Sequence, residues 1–525
     1  MYTRVYGVTR IREEHRKMSN SKAKHCALLM IAVALSRFLF RSRYLYDIDS
    51  VNFALALEHF DPLVHQPHPP GYYLYICLGR LSLSVFHDAN TALVALSVLA
   101  SAAAAAAIHA LTHTWFGQKP ALFAGLIFLF SPLSWFHGTV ALTYILELFL
   151  AALVGYLCWQ THSRRKSFVI LSAIALGVAA GVRQSSILFL GPLWLFSLRK
   201  LPRRQVLLGM AVLGVSLLAW LVPMTLESGG GQRYLASLYD LWIRVPGKRT
   251  VFASTPSRAF ALTLARLITI AGNYGLCFGA AGLLPLLGGG AEAADRAHKA
   301  FIGAWIAPVL LFFTVVYLAF VNSGYLLVGS PPIFAWLGAQ AASWHTRAKL
   351  SGRRKALVVG ALAAVHAAAY LYAPFYCSAQ AVKKFEAELE AVLPSVEGLA
   401  NPNDTLIVGF DSHFLGYRHA GYYLPRYWTI QYPEVQMAPG KRVFAMKDRR
   451  TSLLSALPAG NLKSFVLFPL PDNSESRRHL EKVRAMCPPG TLSARAAPGR
   501  EVQTGSRTDL ICLFPSTAGL SWPGE

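Results

Sequence analysis

Long apolar blocks alternate along this chain with short polar connections, most of them basic. A helix needs about 20 apolar residues to cross a bilayer. Stretches near that length fall at 25–41, 91–114, 120–138, 141–160, 167–182, 186–198, 206–226, 260–286, 300–321, 325–343 and 355–373. The pattern predicts an all-α polytopic membrane protein with about eleven transmembrane helices. The blocks 167–182 and 186–198 are short, and Arg183 stands between them. A further apolar segment, Gly71–Phe86, is also short and carries Arg80.

Loop charge decides how Gly71–Phe86 is read. If it does not cross, the clusters Arg164/Arg165/Lys166, Arg199/Lys200/Arg203/Arg204 and Arg347/Lys349/Arg353/Arg354/Lys355 all fall on the cytoplasmic side. If it crosses, the same clusters fall outside, against the positive-inside rule. The segment is therefore read as a re-entrant or interfacial helix, with the N-terminus in and the C-terminus out.

This topology divides the chain into a basic cytoplasmic tail (1–24), a transmembrane core (25–373) with a long first outer loop (41–90), and an extracytoplasmic tail (374–525). The tail changes period. Ala379–Leu393 reads as an amphipathic helix, while Thr405–Phe410, Ser464–Phe468 and Asp509–Phe514 read as short buried strands. Helices alternating with such strands predict a C-terminal extracytoplasmic α/β domain. No repeat of 20–50 residues is visible, which excludes a solenoid.

Composition agrees with the pattern: 54% of residues are hydrophobic and 14% charged, too few for a wholly water-exposed protein. The net charge of +24 does not point to nucleic acid, because Lys and Arg are scattered through the loops and not gathered on one domain. The first apolar run lacks a small-residue cleavage site and reads as an uncleaved first span. The seven cysteines form no CxxC pair; Cys377, Cys487 and Cys512, in the tail, would permit one disulfide.

The first outer loop holds the candidate chemistry. Asp47 and Asp49 follow the first span directly, where ionisable groups are costly unless they serve a site or find partners. The bland alternative is that they cap the next helix, with Ser50 assisting. Phe53–Phe60 is apolar enough to lie on the membrane as a helix. Pro67, Pro69 and Pro70 then force an extended path, with Gly71 shaping the backbone. His65 and His68 divide evenly between a site role and loop packing; a metal role with Asp61 is the lesser alternative. No metal cage stands out and no cofactor is expected.

Within the spans, Glu147 is an intramembrane carboxylate and so a functional candidate, or else a helix-packing group. His137 reads as interfacial packing, and Arg183 as an interface anchor or a phosphate partner. In the tail, Asp411, His413, Arg418 and His419 read as solvated surface, with an acceptor site as the alternative.

Asp47-Ile-Asp49-Ser50 followed by His68-Pro69-Pro70-Gly71-Tyr72 resembles the GT-C glycosyltransferases, in the bacterial branch related to protein O-mannosyltransferases and aminoarabinose transferases (glycosyltransferase family 39-like). Phe128–Leu133 and Gly324–Val328 echo the same family, over roughly the first two thirds of the chain. Many relatives carry Asp-Glu where this chain has Asp49-Ser50. The resemblance implies an inverting glycosyltransferase that moves a sugar from a polyprenyl-phosphate donor in the membrane lipid to an unknown extracytoplasmic acceptor. It implies Asp49 as the base, with Asp47 second. Positive partners for the departing phosphate would be Arg183, Arg233, Arg244, Lys248 and Arg249, and His65, His68 and Glu147 would line the substrate. The expected location is a bacterial inner membrane. The rival readings are a lipid-linked glycan transporter or flippase, which would carry inverted repeats and midplane charges, and a non-catalytic membrane assembly factor.

Overall fold

A computed structural model describes residues 23–163, 167–244, 250–287, 296–320, 322–399, 401–403, 405–410, 412–432, 435–437, 440–454, 464–467, 493–495 and 511–513. The chain divides into two compact units. One comprises Met1–Arg41, Tyr72–Met224 and Trp242–Ala381; the other comprises Ser42–Gly71, Thr225–Leu241 and Val382–Glu525.

The first unit is helical. Among the described residues, six helices are long and apolar enough to cross a membrane: Ala89–Phe116, Tyr144–His162, Arg203–Glu227, Pro256–Pro285, Arg296–Val315 and Gly352–Tyr372. Shorter apolar helices are Tyr73–Phe86, Gln118–Phe130, Phe168–Val182 and Ser185–Leu198. Helices run also over 23–39 and Pro331–Arg347. The apolar blocks thus become helices close to the expected bounds. Ala89–Phe116 shows why. Asp88 caps its first turn by accepting the Thr91 N–H at 2.8 Å, and an alanine run from Ala102 to Ala107 supplies the strongest helix former.

Two expected spans are broken. The block 120–138 is two helices, Gln118–Phe130 and Pro132–His137. Pro132 has no N–H to continue the first helix, and Ser131 caps the second by accepting from the Ser134 N–H. The break leaves carbonyls that need donors in an apolar setting. Arg37, wholly buried, supplies them: Nη1 donates to Leu129 O at 2.7 Å and Nη2 to Phe128 O at 3.2 Å, with the guanidinium 5.1 Å above the Trp135 ring. The block 325–343 likewise opens as a 3-10 turn, Ser323–Gly329, before Pro331–Arg347 begins at a double proline.

The second unit is built on an eight-stranded sheet. Its strands are β1 (Thr405–Phe410), β2 (Trp428–Tyr432), β3 (Val435–Met437), β4 (Gly440–Lys447), β5 (Arg450–Leu454), β6 (Ser464–Leu467), β7 (Ser493–Arg495) and β8 (Ile511–Leu513). The order is β3-β4-β2-β1-β6-β8-β7, with β5 against β4. β1 runs parallel to both β2 and β6, in the registers Leu406↔Trp428 and Thr405↔Ser464. Its inner residues Leu406 and Ile407 are fully buried, as a central parallel strand requires. Helix Tyr417–Tyr423 makes the crossover from β1 to β2, and the expected amphipathic helix extends over Ala379–Leu399. The outer-loop helix Ile48–Glu58 belongs to this unit as well. Its residues from Ser50 to Leu57 are all buried, so it does not lie on the membrane as the sequence suggests.

Candidate active site

The acidic motif begins the helix Ile48–Glu58. Asp47 is its N-cap: the carboxylate accepts the Asp49 N–H at 2.8 Å. That assigns the capping role to Asp47 alone. Asp49 stands in the first turn, where its Oδ1 lies 3.3 Å from Nδ1 of His68, and both side chains are partly exposed. Phe53 flanks the imidazole, its centroid 5.8 Å away. A carboxylate and an imidazole therefore meet at the surface of one loop, an arrangement able to accept and pass on a proton.

Asp47 has a second imidazole beside it. His413 Nδ1 lies 3.7 Å from Asp47 Oδ2, and the His413 carbonyl accepts the Ile48 N–H at 2.9 Å. Burial pushes the Asp47 carboxyl above its ordinary range, against the pull of His413; the neighbouring Asp49 adds to the rise.

The rest of the loop is shaped by local backbone chemistry. Asp61 caps the 3-10 turn Pro62–Val64 through the Leu63 N–H at 3.1 Å. His65 follows at φ 60°, and its ring packs 5.2 Å from Phe444. Gly71 has φ 121°, a conformation that L side chains rarely adopt.

The sheet domain grips this loop along its length. Glu386 accepts the Arg43 N–H at 2.7 Å and its Nε–H at 3.1 Å, and the Tyr423 hydroxyl accepts the Leu45 N–H at 2.8 Å. Arg418, expected on the surface, is wholly buried: it donates to Val64 O at 2.7 Å, to Thr451 Oγ1 at 2.7 Å and to the Tyr417 hydroxyl at 2.8 Å. His419 is equally buried and is held down to about 4 by that burial. The expectation of a solvated surface fails here because the crossover helix lies inside the unit. Its seven residues, about two turns, are too few to carry a period that would show which face is covered.

Arg233 also belongs to this unit. Its Nη2 contacts Asp61 Oδ2 at 2.5 Å, and the neighbouring Tyr234 hydroxyl donates to Pro70 O at 3.0 Å. The Arg244 side chain, Lys248, Arg249, Asp411 and Cys487 lie outside the described residues. Among the described residues Cys377 has no disulfide partner.

Glu147 and Arg183 come together in the membrane unit. Arg183 Nε lies 3.4 Å from Glu147 Oε2; its Nη1 donates to Thr143 Oγ1 at 3.2 Å, and Ser186 donates to Glu147 Oε1 at 2.9 Å. Three rings surround the guanidinium, those of Tyr144 at 4.5 Å, Tyr325 at 5.0 Å and Tyr72 at 5.8 Å. Burial of such a pair demands mutual neutralisation. His137 is buried beside it, with Nε2 3.3 Å from Ser323 Oγ and its ring packed 5.0 Å from Tyr144. Among the described residues no group of three or more His, Cys, Asp or Glu is arranged to hold a metal ion.

Sequence reasoning missed His413 as a partner of Asp47 and the Tyr72 and Tyr325 rings around Arg183. The Gly324–Val328 echo was the one hint of Tyr325. His413 stands more than 350 residues from Asp47, with no local pattern to signal it.

Residues 63–206 match the family model described as the protein O-mannosyl-transferase TMEM260 N-terminal domain. No curated protein matches the chain. Among solved structures, the chain is similar to ArnT from Cupriavidus metallidurans bound to undecaprenyl phosphate. The TM-score is 0.55 at 16% identity, covering 77% of this chain and 85% of that one. The apo state of the same protein aligns with a TM-score of 0.54 at 16% identity, over 79% and 86% of the two chains.

Proposed function

We infer that this chain, an integral membrane protein of the GT-C superfamily of glycosyltransferases, transfers a sugar from a polyprenyl-phosphate carrier to a hydroxyl acceptor outside the cytoplasm. The observation that carries this reading is the Asp49 carboxylate 3.3 Å from His68, in a loop that directly follows an apolar helix. The fold shared with a protein that binds undecaprenyl phosphate supports the class of donor. The match to an O-mannosyl-transferase domain supports a hydroxyl acceptor, on protein, lipid or glycan.

The reaction is a single displacement. The acceptor oxygen forms a bond to the anomeric carbon as the bond to the carrier phosphate breaks. The electron pair of that bond leaves with the phosphate, and the acceptor proton passes to Asp49. His68, beside the same carboxylate, orients it for the transfer. Asp47 keeps the helix start in place. Arg183 and Arg233 already carry carboxylate partners, Glu147 and Asp61, and with Arg244, Lys248 and Arg249 they are the cations proposed to meet the departing phosphate, where positive charge stabilises the transition state. The bacterial inner membrane, with the N-terminus inside and about eleven spans, completes the reading.

The test uses the purified chain in lipid nanodiscs with undecaprenyl-phosphate sugars and a panel of hydroxyl acceptors. Release of undecaprenyl phosphate together with an inverted glycosidic product is expected. Movement of the intact lipid-linked sugar across vesicles with no release of carrier phosphate would overturn transfer in favour of a transporter. Inactivity and absence of movement with every donor would favour the assembly factor.

A further inference from the structure

The helix Gly231–Arg244 belongs to neither a span nor the sheet, and its two sides differ sharply. One side is bound to the protein. Tyr234 and Ser237 are buried, the Tyr234 hydroxyl donates to Pro70 O at 3.0 Å, and Arg233 pairs with Asp61. The loop gripped in this way is the one that carries His65 and His68.

The other side is open. Leu235 is 64% exposed, Tyr239 62% and Trp242 53%. At 100° per residue these three fall within one narrow stripe, and Arg233 and Asp240 project from the opposite arc. Three large apolar side chains at helical spacing are costly in water. A second feature says what covers them. The chain enters this helix directly from Arg203–Glu227, an apolar helix of membrane-crossing length, through a turn at Gly229 and Gly230, both at positive φ. The helix therefore starts a few residues from the end of a span. Leu, Tyr and Trp are the residues that settle in the head-group layer, with charged groups turned to water.

We propose that Gly231–Arg244 is a lipid-surface anchor. The Leu235/Tyr239/Trp242 stripe enters the head-group boundary of the outer leaflet, to a depth of about 5–10 Å for such a helix. Its other side holds the Asp61–Pro70 segment. The anchor thereby fixes the depth at which the His-Pro-Pro loop stands over the membrane, which suits a reaction whose substrate is a lipid head group. Only this last consequence rests on the proposed transfer reaction; the anchor itself does not, and its test reads no activity.

Nitroxide labels are introduced in the full chain by Leu235→Cys, Tyr239→Cys, Trp242→Cys and Asp240→Cys, with the native cysteines replaced by alanine. The chain is reconstituted in vesicles of phosphatidylethanolamine and phosphatidylglycerol. The three stripe positions should be relaxed more by oxygen than by a water-soluble nickel chelate, and position 240 the reverse. Hydroxyl-radical footprinting of the unmodified chain in the same lipid should leave Tyr239 and Trp242 largely unoxidised, and covers the case in which the cysteine-free chain misfolds. Nickel-dominated relaxation at the stripe, or ready oxidation of Tyr239 and Trp242, would overturn the proposal. So would dipolar broadening between labels on different copies, which would place a second copy of the chain on the stripe.

Discussion

Replacing Asp49 by Asn separates the two roles that an acidic residue at this helix start could play. The substitution keeps size and removes the charge. Asp47 and not Asp49 accepts the N–H at 2.8 Å, so the cap survives. What Asp49 adds to stability is a negative charge in the first turn, worth about 0.3–1 kcal/mol against the helix dipole. Its contact with His68 at 3.3 Å is partly exposed and adds less than 1 kcal/mol or so. The variant should therefore unfold within about 1 kcal/mol of the parent and bind donor nearly as well. Its turnover should fall by about 10²–10⁴, the usual cost of losing a positioned base. That loss is about 3–5 kcal/mol of barrier at 1.36 kcal/mol per decade, several times anything the helix start can supply. The assay is carrier-phosphate release at saturating donor, paired with thermal unfolding in the same detergent. Asp47→Asn is the control, because Asn caps about as well as Asp. It should lose less activity than Asp49→Asn. Full activity in Asp49→Asn, or a rate loss matched by an equal loss of folded protein, would refute Asp49 as the base.

Other consequences are open to direct measurement. His419 is neutral in the fold and held down to about 4, below the ordinary 6.5 of an unfolded chain. Unfolding therefore takes up a proton between those values. The stabilisation is complete above about 6.5 and is lost as pH falls toward about 4, at roughly 1.4 kcal/mol per pH unit. His419→Gln should flatten this part of the stability profile, measured by chemical unfolding at pH 7 and pH 5; an unchanged slope would count against it. Glu147→Gln leaves the Arg183 charge buried without its carboxylate and should destabilise the membrane unit by about 3–5 kcal/mol, with a lower unfolding temperature in detergent. The double variant with Arg183→Gln should recover part of the loss. At Gly324 an added Cβ would meet the Tyr144 ring well inside van der Waals contact, and that ring sits against Arg183. Gly324→Ala should cost about 1–3 kcal/mol by the same unfolding measurement.

Much of the membrane architecture is written in local pattern. Each helix in lipid satisfies its own backbone, so an apolar run such as 91–114 is enough to mark the observed helix Ala89–Phe116. The tail strands Thr405–Phe410 and Ser464–Leu467 were legible for a similar reason, as short apolar runs of β-forming residues. So was the Asp47/Asp49 pair, because acidic groups beside a span stand out against their surroundings. Breaks were harder to read: Ser131-Pro132 interrupts a helix within an apolar block, and its exposed carbonyls are met by Arg37, more than 90 residues away. Pairings across long sequence separations left no trace in pattern. Asp47 beside His413, Val64 on Arg418, and the Tyr72, Tyr144 and Tyr325 rings around Arg183 each join distant segments. Periodicity reports which side of an element is apolar, and not which partner covers it. Arg418 and His419 are polar residues in a short crossover helix, and they became interior only when the sheet and the outer loop closed over them.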